Sequence, residues 1–230
     1  MKTKTTIIIL AVLLVIASMV FTTYRIAVTY QKRIDVLNSK IESLQSAVRI
    51  APGLAEASKL YIKVLKAISQ KEIEPELQTK IASAVTEQVT IFAKYIDAPF
   101  ILSVIEQESN FNPNAVSDKE AYGLMQILPS TAIPYYRLIT GMDDIENIRE
   151  KLKDPVLNIK IGSYILADLI RMYLSEGYTL EEARRYALFS YFWGPGELRD
   201  RKSKKQDIVS DYDSAVLNRY SKWRTICQNE

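Results

Sequence analysis

The sequence predicts an all-α protein, on three observations. Apolar residues recur at three- and four-residue intervals through most of the chain. Long runs of alternating Val and Ile, the mark of half-buried strands, are absent. Several prolines stand where they open helices. A small hairpin or irregular loop around residues 112–124 is the one exception expected.

The first element expected is a transmembrane helix. Thr5 to Tyr24 is an uncharged run dense in Ile, Leu and Val. At 1.5 Å per residue its length is about 30 Å, the thickness of a bilayer's hydrocarbon core. A cleavable signal peptide is the rival reading, but the run is longer than a usual apolar signal core and no clear Ala-x-Ala site closes it. Residues 1–28 are therefore read as a retained N-terminal membrane anchor. No lipobox cysteine is present, which excludes a lipoprotein. Lys2 and Lys4 precede the run while Arg25, Lys32 and Arg33 follow it, so charge sets its orientation poorly.

Apolar residues at Tyr30, Ile34, Leu37, Ile41, Leu44 and Val48 then alternate gaps of four and three, a heptad pattern that defines a coiled-coil-like stalk over 29–50. Two readings stay open: pairing of two stalks in a homodimer, or a single helix laying its stripe on the following domain. Ala51-Pro52-Gly53 ends the stalk. A helical linker or packing region over 51–88 holds one amphipathic helix from Leu54 to Ser69. A second opens at Pro75 and buries Leu77, Ile81, Ala84, Val85, Ile91 and Phe92. The remainder, 89–228, is again helix upon helix. Asp154-Pro155 reads as an N-cap with proline in the first turn, and Thr179 with Glu182 as a capping box.

Composition narrows the chemistry. The chain contains no histidine, which removes His-based acid–base catalysis, Ser-His-Asp and Cys-His sites, and histidine metal sites. The one cysteine, Cys227, cannot form an internal disulfide. A net charge of +3 gives weak grounds for nucleic-acid binding. The basic cluster Arg199, Arg201, Lys202, Lys204 and Lys205 lacks interleaved aromatics and reads as a solvated loop, with attraction to anionic wall polymers or lipid headgroups as the functional alternative. No nucleic-acid partner, metal or cofactor is expected, and the chemistry falls to carboxylates, tyrosines, amides or backbone.

One stretch concentrates such groups. Pro99 opens a helix and Asn112-Pro113 lies beyond its end. Ile101, Val104 and Ile105 form its apolar face. Glu108, seven, four and three residues later, continues that face, whereas Glu106 is turned about 200° away. An apolar setting and the C-terminal end of a helix dipole both penalise a charged carboxylate, raising its pKa as a general acid near neutral pH requires. A surface glutamate at a fraying helix end is the plainer reading of the same periodicity. Further on, Ala121-Tyr-Gly-Leu-Met-Gln126 precedes Pro129 at a helix start, and Ser190-Tyr-Phe-Trp-Gly-Pro-Gly196 packs three aromatics against two glycines and a proline. Aromatic faces can stack on sugar rings, though core aromatics followed by a turn fit the second block equally.

These blocks together resemble the active-site signature of the soluble-type lytic transglycosylases. The resemblance runs through Glu108-Ser-Asn-Phe-Asn-Pro-Asn-Ala-Val-Ser117, Ala121-Tyr-Gly-Leu-Met-Gln126 and Pro129-Ser-Thr-Ala132. It continues through Asp154-Pro155, Asn158-Ile159, Ile161-Gly162 with Tyr164, and Ser190-Tyr191 with Gly194-Pro195-Gly196. Tyr212, Val216-Leu217 and Tyr220 look like the family's last helix. The similarity covers roughly residues 89 to 224.

The resemblance implies a lysozyme-like helical domain that binds peptidoglycan glycan strands and cuts between N-acetylmuramic acid and N-acetylglucosamine. The glutamate aligned with Glu108 protonates the glycosidic oxygen. It then serves as base while the muramoyl 6-hydroxyl attacks its own C1, leaving a 1,6-anhydro end. The tyrosine aligned with Tyr191 would hydrogen-bond that glutamate. Ser117, Met125 and Gln126 align with residues that shape or line the cleft, and Trp193 joins them as a sugar-binding candidate. The implied location of the catalytic domain is periplasmic or extracytoplasmic, on a single-pass anchor in the bacterial cytoplasmic (inner) membrane. Two readings compete: a lysozyme-type hydrolase of the same fold, and a non-catalytic wall-binding or assembly factor.

The chain departs from the family pattern twice. Glu120 stands where the family usually has glycine; glutamate is compatible there if the position has an ordinary φ, and it places a solvated second carboxylate in the loop. Phe192-Trp193 replace the expected Asn-Ala, which removes a polar group beside Tyr191 and either fills core or widens the sugar-binding surface.

Overall fold

The structure, a computed structural model, describes residues 24–28, 31–32, 34–35, 37–38, 53–206 and 208–228. Two compact units divide the chain, residues 1–55 and 56–230. In the first unit the described positions are helical. The six described positions of the 29–50 stalk are among these; the rest of the heptad reading, and with it the homodimer, lies outside the described residues.

No helix among the described residues is long and apolar enough to cross a membrane. This corrects the expected transmembrane helix, and with it attachment to the cytoplasmic membrane and the single-pass inner-membrane location that rested on it. Except for positions 24–28, that expectation falls outside the described residues. Within the second unit the reason is patterning. The longest described helix has 21 residues, but Lys160, Asp168 and Arg171 punctuate it, so it is a helix for a protein core and its water-facing side.

The second unit is all-α. Helix α1 covers residues 53–69. It is followed by α2 (Pro75–Phe92), α3 (Ala98–Ser109), α4 (Pro129–Thr140), α5 (Ile148–Lys151), α6 (Pro155–Ser175), α7 (Leu180–Trp193), α8 (Pro195–Ser203) and α9 (Asp211–Gln228). Prolines occupy the first turn of α2, α3, α4, α6 and α8, where a missing N–H costs nothing. Asp154 caps α6, and Thr179 with Glu182 forms a reciprocal capping box on α7, both as the sequence indicates. Ile91 departs from its expected place: at the margin of the α2 stripe and in its last turn, it is exposed.

Helix α6 packs against α2, α4 and α7, while α3 packs against α9 and α2. The first turns of α3 are buried on every side, Phe100 through Ile105 without a break, so α3 is a core helix and not an amphipathic surface one. Its N-terminus is tied down three ways. Asp97 Oδ1 accepts from Phe100 N at 3.0 Å, and Oδ2 accepts from the Tyr220 hydroxyl at 2.8 Å and from Arg184 Nη2 at 3.3 Å. That network joins α3 to α7 and α9 and fixes where the other end of α3 emerges.

Candidate active site

Helix α3 ends because Asn110 adopts the left-handed conformation at its C-cap and returns its N–H to Glu106 O, a role asparagine fills with little strain. Phe111, also left-handed, turns inward against Trp223. The last turn of α3 therefore projects into the molecule. Ser109 Oγ donates to Leu124 O at 2.8 Å and so joins this turn to the loop that follows.

The two glutamates on that turn meet opposite environments. Glu106 lies under α9, where burial works to raise its pKa. Hydrogen bonds from Lys71 Nζ at 2.6 Å and Trp223 Nε1 at 2.8 Å, with the charges of Lys71 and Arg219, outweigh burial and hold its carboxyl below the usual value. Glu108 has no cationic partner among the described residues. Burial pushes its carboxyl up to about 7, and the hydrogen bond donated by the Tyr212 hydroxyl to Oε1 opposes that only in part. Oε2 has no hydrogen-bond partner among the described residues.

Two tyrosines stand around this acid. Burial, and then the charge of Glu108, push both Tyr191 and Tyr212 well above the ordinary phenol value, so both stay neutral donors. They donate to different acceptors. Tyr212 holds Glu108, whereas the Tyr191 hydroxyl goes to Met125 O at 2.8 Å and not to the glutamate. Sequence reasoning placed Tyr212 in the last helix without giving it this contact. Its position is set by a capping box at the start of α9. Ser210 N and its hydroxyl both donate to Asp213 Oδ1, while Asp213 N approaches Ser210 Oγ at 3.4 Å. The Ser-x-x-Asp spacing is the signal that could have marked the turn carrying Tyr212.

The loop from Asn112 to Leu128 is the irregular segment expected, with isolated bridges Val116 to Tyr122 and Tyr122 to Ile127 in place of strands. Its organiser is Asn158, a fully buried residue on α6 that was not singled out as a site residue. Asn158 Oδ1 accepts from Met125 N at 2.7 Å, and Nδ2 donates to Tyr122 O at 2.9 Å and Leu152 O at 2.7 Å. Gly123 sits here with φ +80°, and a Cβ on it would run into Leu152 O and the Asn158 amide. Met125 is wholly buried against Gly162, so it reaches the site through its carbonyl and not as a cleft-lining side chain. Gln126 turns its amide back on the loop, donating to Ala115 O and Gly123 O, both at 3.0 Å.

Ser117 is exposed and closes a tight turn. Its N–H reaches Ala121 O at 3.0 Å and its hydroxyl accepts from Ala121 N at 3.1 Å. Glu120 in this turn has φ +58°, outside the ordinary range in which glutamate fits without strain, which explains why glycine suits the position. Its carboxylate is 61% exposed and paired with Arg149 at 2.8 Å. Because a left-handed non-glycine residue costs about 1–2 kcal/mol, Glu120→Gly should be more stable than Glu120→Ala by about 1 kcal/mol, both lacking the ion pair. Denaturant titration of the two variants checks this, and equal midpoints would contradict it. Trp193 ends α7 beside Phe192; each is 45% exposed.

A helical domain with one elevated carboxylic acid between two neutral tyrosines has the layout of an acid–base site that works without histidine. The Transglycosylase SLT domain family model matches residues 88–212, just over half of the chain, and the chain belongs to that family. It is 42% identical over 97 residues to the membrane-bound lytic murein transglycosylase C of Actinobacillus pleuropneumoniae serotype 5b (strain L20), covering 42% of this chain and 26% of the relative. To the protein of the same name from Salmonella arizonae it is 38% identical over 99 residues, covering 43% of this chain and 27% of the relative. The matched stretch thus spans about a quarter of the length of these relatives. Among solved structures, an inactive mutant of lytic transglycosylase Slt from Pseudomonas aeruginosa aligns at 22% identity with a TM-score of 0.44, covering 76% of this chain and 27% of that one.

Proposed function

We propose that this domain is a peptidoglycan lytic transglycosylase that cleaves the β-1,4 bond between N-acetylmuramic acid and N-acetylglucosamine, with Glu108 as its single proton carrier. The observation that carries the reading is the pairing of a carboxyl raised to about 7 by burial with a donor, Tyr212, on only one of its oxygens. At neutral pH a large fraction of such a group is protonated, and its conjugate base is strong enough to take a proton back. In the first half-reaction Glu108 gives its proton to the glycosidic oxygen as the C1–O bond breaks. In the second, the muramoyl 6-hydroxyl attacks C1 and returns its proton to Glu108. No water is consumed and the enzyme ends as it began.

Tyr212 steadies the charged form between the two steps, and Tyr191 braces the wall of the site through Met125 O. An intramolecular hydroxyl needs neither a second carboxylate nor an activated water. The surroundings suit this. Glu120, the other carboxylate considered, is exposed and engaged with Arg149, and no neighbouring carboxylate contributes to the shift of Glu108.

Mass spectrometry of digested peptidoglycan tests the reaction. Anhydro-muramoyl ends, lighter by one water than hydrolysed ends, are expected, and reducing ends alone would assign the chain to the lysozyme-type hydrolases. The pH profile supplies a second check. Since the acid must be protonated, kcat should fall as pH rises through about 7. Tyr212→Phe removes a hydrogen bond that favours the charged form, so this alkaline limb should move to higher pH while kcat drops roughly ten-fold, the worth of one hydrogen bond to a charged group. An unmoved limb would remove Tyr212 from the account.

A further inference from the structure

The residues that break the family pattern lie next to the acid and are organised around it. The Phe192 ring stacks on the Tyr212 ring, with centroids 4.6 Å apart and planes 19° from parallel. Tyr212 is the residue that holds Glu108. Trp193 meets Phe192 edge-on at 5.0 Å and is itself approached by Arg201, 5.6 Å from its ring. Tyr212 takes one face of Phe192, yet Phe192 stays 45% exposed. An aromatic pair this exposed, one ring removed from a catalytic carboxyl, is a surface on which a pyranose can stack.

A cation stands over the same surface. Lys119 Nζ lies 5.8 Å from the Phe192 ring centroid, reaching it from the 112–128 loop. Lys119 is exposed and has no carboxylate partner among the described residues. The turn that presents it is held on both sides. Glu120 N donates to Ser117 O at 2.9 Å, Ser117 closes onto Ala121, and Glu120 is anchored to Arg149 on α5. A lysine carried by such a turn, over the ring that flanks the acid, is placed to meet a negative substituent on whatever sugar stacks there.

Resting on the reading of the site as a glycan-cleaving one, we propose that Phe192 and Lys119 form a carboxylate-reading sugar subsite. The sugar ring lies against Phe192 and Trp193, and the Lys119 ammonium pairs with a carboxylate borne by its substituent. On a peptidoglycan strand that carboxylate has two sources: the lactyl group of a muramoyl residue stripped of peptide, or the acidic residues of an attached stem peptide.

The test measures kcat/KM of the protein on four substrates: peptide-bearing strands, the same strands with their peptide carboxylates converted to neutral methylamides, strands stripped by an amidase, and stripped strands whose lactyl carboxylates are converted to neutral methylamides. Wild type should favour stripped over methylamidated strands by roughly three- to five-fold at low salt, the scale of an exposed ion pair, and lose the preference at high salt. Lys119→Arg should keep the preference and Lys119→Met abolish it. If peptide-bearing strands are the favoured carboxylate source, the same loss appears between them and their methylamidated counterparts. Lys119→Met with an undiminished preference on both pairs, in an enzyme that still cuts, overturns the subsite and leaves the Glu108 reading standing. Activity that persists in Glu108→Gln overturns that reading instead, whatever Lys119 does.

Discussion

Glu108→Gln is expected to melt higher than the wild-type protein above pH 7 while losing its activity. The folded-state pKa of about 7 lies above the glutamate value of 4.5, so between those limits the folded chain binds more protons than the unfolded one. The contribution of Glu108 to stability is therefore greatest below about 4.5 and is lost as pH rises through about 7. At 1.36 kcal/mol per unit, charging Glu108 in place costs on the order of 3 kcal/mol. Glutamine has the same shape, carries no charge and can still accept from Tyr212. At pH 8 the variant should unfold several degrees higher, at about 2–4 °C per kcal/mol for a unit of this size, and at pH 4 the two should converge. Thermal melts at the two pH values check it, and identical curves at pH 8 would mean that Glu108 ionises without cost. A site residue whose removal stabilises the fold marks a cost accepted for chemistry.

Asn158→Ala should produce the largest loss of stability. The side chain is fully buried and serves Met125 N, Tyr122 O and Leu152 O at once. Tyr122 O keeps a second donor in Ile127 N, but the other contacts leave backbone groups without their observed partner in the interior. The expected cost is on the order of 3 kcal/mol. Asn158→Asp, nearly identical in shape, should do no better at neutral pH, because it sets a carboxylate against two carbonyl oxygens. Activity should fall with stability in both, since Met125 O is where Tyr191 docks. Denaturant unfolding measures the first effect. A cost below about 1 kcal/mol for both variants would mean that the loop is held by something other than this amide.

Much of the helical framework was legible because the signals are local. Pro155 after Asp154, Thr179 before Glu182 and the phase that separates Glu106 from Glu108 are each decided within one or two turns of chain. The contacts that complete the site are not local. Tyr212 reaches Glu108 across 104 positions, and only the packing of α9 on α3 selects it over Tyr191. Met125 and Gln126 were read as shaping or lining the cleft, but which way a loop side chain turns depends on Asn158, on Gly123 and on the positive φ at Gln126. Glu120 shows the same limit: the substitution for glycine was visible, whereas the left-handed backbone that gives glycine its reason was not. The membrane anchor failed differently, because a hydropathic run is a property of sequence alone and no described helix supplies its counterpart.

The most direct measurement is the release of anhydro-muropeptides from purified peptidoglycan by the full-length protein and by its Glu108→Gln form, at pH 6, with circular dichroism confirming equal helix content. The account predicts anhydro-ended products from the wild type and a rate lower by at least about a hundred-fold in the variant, the smaller end of what a positioned acid–base group contributes. Equal rates from two equally folded proteins would contradict it and move the chemistry away from Glu108.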